Sequence, residues 1–105
     1  MDSAYLAARI NLLFPEDDLS RLTIYEEDSI SIRIDVHGLS RPEARRLITN
    51  VANVGCNMAY TLVIIHGFNH GTAIKDMLAN DFALPRVRSN RPDPVNPGVT
   101  LLSIA

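Results

Sequence analysis

Ile30-Ser31-Ile32-Arg33-Ile34-Asp35-Val36-His37-Gly38-Leu39 is the stretch whose reading decides the fold. Isoleucine or valine alternates strictly with a polar residue, which predicts a strand with one buried and one polar face. Arg33, Asp35 and His37 then project from the same side, near the strand's C-terminal end. Ser40-Arg41-Pro42-Glu43 follows as a capping box, a serine with glutamate three residues on. Ala44, Leu47, Ile48, Val51 and Val54 continue as the apolar stripe of a helix, which Gly55 ends as a C′ residue.

About thirty residues further on the pattern recurs. Tyr60-Thr61-Leu62-Val63-Ile64-Ile65 is nearly all apolar, as a central strand is. It too ends in a His-Gly pair, His66-Gly67, and leads through Phe68-Asn69-His70-Gly71 to a helix-like segment. Thr72 is the expected N-cap of that helix, with Ile74, Met77 and Leu78 buried and the end near Ala79. Val87 is placed in a short strand around residues 84–88, with Arg86 and Arg88 together on its solvated face. Asn90 to Gly98 holds three prolines and is read as irregular. Val99-Thr100-Leu101-Leu102-Ser103-Ile104 closes the chain as a strand. The order is β-α-β-α-β-β, and strand–helix–strand units of this kind make parallel neighbours through right-handed crossovers. The fold class is therefore α/β, a mixed sheet with two helices on one face.

Before Ser29 the chain differs in character. Residues 4–14 are helix-compatible, with Ser3 as a cap and Leu6, Ile10, Leu13 and Phe14 at helical spacing. Pro15 stops the run, Glu16-Asp17-Asp18 follow as a polar link, and Leu22 to Tyr25 read as a short strand. Residues 1–28 carry a net charge of -5 and residues 29–105 a net charge of +3. Two units follow: an acidic extension, 1–28, packed on the domain or on a second subunit, and a mildly basic domain, 29–105. Nine of the ten basic residues are arginine, the side chain suited to bidentate phosphate contacts.

The 105 residues suffice for one domain, and 47% hydrophobic content supplies a core. No stretch has the length of a membrane helix, and the N-terminus lacks the basic start of a secretory signal. Cys56 is the sole cysteine, so no internal disulfide forms and a reducing, cytoplasmic setting is expected. The overall charge of -2 argues against indiscriminate nucleic-acid binding.

Two histidines and a carboxylate delivered to loops that open helices suit phosphate chemistry, because histidine moves protons near neutral pH and helix starts attract anions. Asp35 can orient His37, and His66 can serve as the second acid/base. Gly67 and Gly71 allow backbone N–H groups to approach a phosphate, with Asn69, Thr72 and Lys75 nearby. Arg33, Arg41, Arg45, Arg46, Arg86 and Arg88 can hold flanking phosphates. Each has a plainer reading: a strand-end histidine fixing a turn, a turn glycine, arginines on a solvated edge. Phe68 stacks on a base or packs under its loop, and His70 is a solvated loop residue. No metal and no cofactor are expected.

Over residues 30–105 the chain resembles the Smr (small MutS-related) domain. Asp35-Val36-His37-Gly38-Leu39 is similar to the family's Asp-Leu-His-Gly-Leu signature, and Ile64-Ile65-His66-Gly67 to its second signature strand. Gly71-Thr72-Ala73-Ile74-Lys75 and Asn96-Pro97-Gly98-Val99-Thr100-Leu101 resemble the openings of its second helix and final strand. The resemblance implies a two-layer sandwich like the C-terminal domain of translation initiation factor three. It implies DNA or RNA binding first, and endonuclease activity through Asp35, His37 and His66 second. His66-Gly67-Phe68-Asn69 stands where the family reads His-Gly-Lys-Gly, which favours binding over cutting. Two other readings stay open: a non-catalytic nucleic-acid or ribosome-binding module, and an interaction protein that forms a homodimer through its N-terminal extension.

Overall fold

The computed structural model describes residues 2–67 and 72–105. Phe68, Asn69, His70 and Gly71 lie outside the described residues. The chain is an α/β fold in which five strands form one mixed sheet and four helices lie on one of its faces. In chain order these are α1 (Asp2–Leu13), α2 (Glu16–Leu19), β1 (Leu22–Glu26), β2 (Ile30–Asp35), α3 (Arg41–Val54), β3 (Tyr60–Ile65), α4 (Ala73–Asn80), β4 (Val87–Pro92) and β5 (Val99–Ile104). The sheet order is β1-β2-β3-β5-β4. Only β2 and β3 run parallel, and every other neighbouring pair is antiparallel.

The period-two pattern of β2 is realised directly. Ile30, Ile32 and Ile34 are buried, Arg33 is exposed, and Ser31 and Asp35 are half-buried. Tyr60, Leu62 and Ile64 of β3 and Thr100, Leu102 and Ile104 of β5 line the same inner face. Against that face pack Leu47, Ile48 and Val51 of α3 and Ile74, Met77 and Leu78 of α4. The capping box of α3 forms as read: Glu43 N–H donates to Ser40 Oγ at 3.3 Å, and Ser40 N–H donates to Glu43 at 3.0 Å. The Ser40 N–H foremost, and the Ser40 hydroxyl after it, hold the Glu43 carboxyl below its ordinary pKa.

The leader supplies part of the core, because Leu6, Ile10 and Phe14 of α1 are buried in it. Other details depart from expectation. Leu13 points outward, and Ser3 lies within α1 with its hydroxyl donated to Glu26. Gly55 sits at φ -97, so the end of α3 needs no left-handed residue. What it needs is space: a Cβ at position 55 would lie 2.6 Å from Tyr60 Cε1 and 2.8 Å from Leu6 Cδ2. Thr72 precedes α4, but its hydroxyl donates to the Asp76 carboxylate at 2.8 Å and caps no backbone group.

The strand near Val87 starts there and runs on to Pro92, so the first part of the Pro-rich segment is ordered as an edge strand. An edge position tolerates a proline that has no N–H to give. A bulge between Val87 and Ser89 breaks the alternation. Arg86 and Arg88 are therefore not a pair on one solvated face. Arg88 is exposed at the bulge, whereas Arg86 donates to the carbonyls of Ala52, at 3.0 Å, and Met58. Its guanidinium also lies over the Tyr60 ring, 5.6 Å from the centroid.

Candidate phosphate-binding cleft

Parallel pairing of β2 with β3 puts Asp35 opposite Ile65, so both strands end at the same level. Val36 N–H donates to Ile65 O at 2.9 Å and extends the ladder by one bond. The two His-Gly pairs therefore leave the sheet side by side. Gly38 at φ +81 and Gly67 at φ +77 turn the chain away in a conformation that L side chains rarely adopt. Gly98, at the entry to β5, completes the rim: its carbonyl accepts from His66 N–H at 3.0 Å and Gly67 N–H at 3.1 Å.

Between these loops lies a cleft of about 520 Å³. His37 and Gly38, Ser40 and Arg41, His66 and Gly67, and the first turn of α4 from Ala73 to Lys75 line it. The positive end of the α4 dipole borders the same space, where it favours an anion.

The two histidines occupy opposite environments. His37 is 70% exposed; its Nδ1 meets the Asp35 carboxylate, whose Oδ1 also accepts from His37 N–H at 3.2 Å. A carboxylate accepts only, so Nδ1 carries the proton, and Nε2 has no partner among the described residues. His66 is buried. Its Nδ1 donates to the Gly67 carbonyl at 2.8 Å, and its Nε2 accepts from the Thr100 hydroxyl at 2.9 Å. Burial, with the charge of Lys75 adding to it, pushes the His66 pKa below its ordinary 6.5, against the Gly67 hydrogen bond. His66 is thus a neutral imidazole with both nitrogens engaged. His37 can offer a nitrogen to a ligand as it stands, whereas His66 must first give up a bond.

Of the other expected contacts, Gly67 and Lys75 line the cleft, and Arg41 of the α3 arginines joins them. Arg45 is drawn to Asp81 and the Phe82 ring, and Arg46 to Asp18. Arg33 is on the outer face of the sheet, 5.1 Å from the centroid of Tyr25. Thr72 is tied to Asp76, Arg86 to α3, and Arg88 lies on the edge strand. Asn69 and Gly71 lie outside the described residues. Among the described residues no group of three or more His, Cys, Asp or Glu side chains could hold a metal ion. None of their helices is long and apolar enough to cross a membrane.

Two residues escaped sequence reasoning. Arg21, just before β1, donates from one nitrogen to the carbonyls of Asp35, at 2.9 Å, and His37, at 3.1 Å. It thereby ties the leader to the turn that carries His37, and nothing local in its surroundings signals this. Thr100 carries a faint signal, as the one hydroxyl among the inward positions of β5. Comparison with protein-family models, curated proteins and solved structures finds no match for this chain.

Proposed function

We propose that the chain is a nucleic-acid-binding protein, similar to the Smr domain, that grips a backbone phosphate in the cleft between its two His-Gly loops. The observation that carries this reading is the convergence of His37, Arg41, Lys75, the Gly67 turn and the start of α4 on one cleft. All are groups that favour an anion. The element order supports the further likeness to the C-terminal domain of translation initiation factor three. His37 presents Nε2 to the phosphate while Asp35 orients the ring. His66 is a positioning residue that holds the Gly67 turn against Gly98 and Thr100. This assignment gives the two histidines separate tasks.

The test is fluorescence anisotropy with labelled single-stranded DNA, single-stranded RNA and hairpins, from about 50 to 200 mM salt. Affinity falls with salt, and His37→Ala and Arg41→Ala each lower it. Absence of binding at the lowest salt overturns the reading.

The exposed Asp35–His37 pair favours a second reading, phosphodiester cleavage with His37 as the single acid/base. Incubating the same oligonucleotides with wild type and His37→Ala decides between them. Product from wild type alone establishes cutting, and intact substrate with retained binding leaves a binding module.

A further inference from the structure

All four helices cover one face of the sheet, and no helix among the described residues covers the other. That outer face has an ordered chemistry. One row across the five strands reads Thr23, Arg33, Val63, Leu101, Arg91, each beside the next by strand register. The adjacent row, two residues along each strand, reads Asp35, Ile65, Val99. Asp93 extends it, with its N–H donating to Val99 O at 3.0 Å. Both rows have an aliphatic centre. One centre is flanked by two arginines and the other by two aspartates.

We infer that this face is the interface of a homodimer, with a second copy of the chain packed sheet to sheet. A two-fold axis lying across the strands, between the two rows, exchanges one row for the other. Arg33 of each copy then faces Asp35 of the second, Arg91 faces Asp93, Val63 faces Ile65, and Leu101 faces Val99. An isologous interface requires such self-complementarity, and aligned sheets pack face to face in this manner. Charge selects the register. An axis along the arginine row sets like charges against each other, and an axis parallel to the strands over β3 sets Arg33 over Leu101.

The face is ready for such a partner. Val63, Ile65 and Leu101 are half-buried, Val99 is buried, and Arg33 and Arg91 are exposed. Arg33 rests on Tyr25, Arg91 donates to Ser89 Oγ at 3.3 Å, and neither is in a salt bridge among the described residues. Asp35 is shared with His37. Asp93 accepts from the Val95 and Asn96 N–H groups, which keep it ionised. Five strands of five or six residues span about 24 by 20 Å, and an axis between the two rows brings only part of that area together, so the contact is below roughly 480 Å² per copy against ~800 Å² in a standard interface. The dimer therefore exchanges with monomer. The axis reverses strand direction, so the two clefts open at opposite ends. Asp35 is shared with the phosphate reading, but Arg91, Asp93 and Leu101, which test the dimer, do not line the cleft.

Sedimentation velocity on the full chain over a concentration series, micromolar to millimolar, tests it. Wild type shifts from monomer to dimer as concentration rises. Arg91→Glu and Asp93→Arg each weaken association by about tenfold or more, because like charges then face each other. An equimolar mixture of the two restores it, since only the mixed dimer pairs every charge. Circular dichroism confirms that each variant folds. Should Asp93→Arg lose its turn, Arg91→Glu and Leu101→Asp carry the test, and both must lower the dimer fraction. A wild type that stays monomeric throughout overturns the inference. So does a dimer indifferent to Arg91→Glu and Leu101→Asp, or one abolished instead by Leu12→Glu on the exposed side of α1.

Discussion

Thr100 donates its hydroxyl proton to His66 Nε2 at 2.9 Å, across the ladder that pairs β3 with β5. The bond fixes the tautomer of a buried ring and occupies the nitrogen that a catalytic histidine would need free. Thr100→Val removes the donor and leaves Nε2 unsatisfied, at a cost of about 1–3 kcal/mol. Urea unfolding at neutral pH measures the loss.

The same burial makes the fold sensitive to mild acid. His66 has a lowered pKa in the folded chain, so as pH falls through the ordinary value of 6.5 the unfolded chain takes a proton that the folded chain refuses. This contribution to stability is complete above that value and shrinks below it, until the folded state also protonates. Melting temperature therefore drops between about pH 7.5 and 5.5, and His66→Gln shows a smaller drop.

Arg21 predicts a split between stability and binding. The carbonyls it holds are close to solvent, so water replaces the guanidinium when it is removed, and Arg21→Ala costs less than about 1 kcal/mol. His37 loses the brace on its turn, and oligonucleotide affinity falls several-fold. Arg21→Lys recovers part of it. Equal affinity in all three proteins would show that the brace serves only the fold.

Arg86 and Arg88 differ despite their spacing. Arg86 spans the Ala52 and Met58 carbonyls and the Tyr60 ring, so Arg86→Ala costs about 1–3 kcal/mol. Arg88 is exposed at the bulge, so Arg88→Ala stays within about 0.5 kcal/mol of wild type. Thermal melts of the two variants side by side separate them.

Gly55→Ala inserts a methyl group against the Tyr60 ring and Leu6, and overpacking of this kind costs about 1–3 kcal/mol. Leu6→Ala in the same chain opens space and recovers part of the Gly55→Ala penalty, which denaturant titration of the single and double variants detects.

The central unit was legible because its signals are local. Alternation wrote β2, an apolar run wrote β3, and Ser40 with Glu43 wrote the start of α3. The parallel pairing of β2 with β3 followed from the crossover rule, and the register Asp35↔Ile65 brings His37 and His66 to one end. What stayed hidden depends on distant partners. The role of Gly55 is set by Leu6, 49 positions away, and the partner of Arg86 lies in α3. Nor does sequence spacing distinguish a histidine paired with a carboxylate from one locked to Thr100. Both follow a strand and precede glycine, and only burial separates their chemistry. The bulge at Arg88 falsified the alternation read from Arg86 to Arg88 because one extra residue inverts every later side chain.

Gly38 and Gly67 turn at positive φ with open space where a side chain would stand. The obstacle to another residue there is handedness, since nothing is in the way. Alanine of the ordinary chirality strains both turns, whereas its mirror image prefers their backbone conformation and removes freedom from the unfolded chain. Chemical synthesis with D-alanine at either position is therefore expected to give a protein that melts higher than the one with L-alanine.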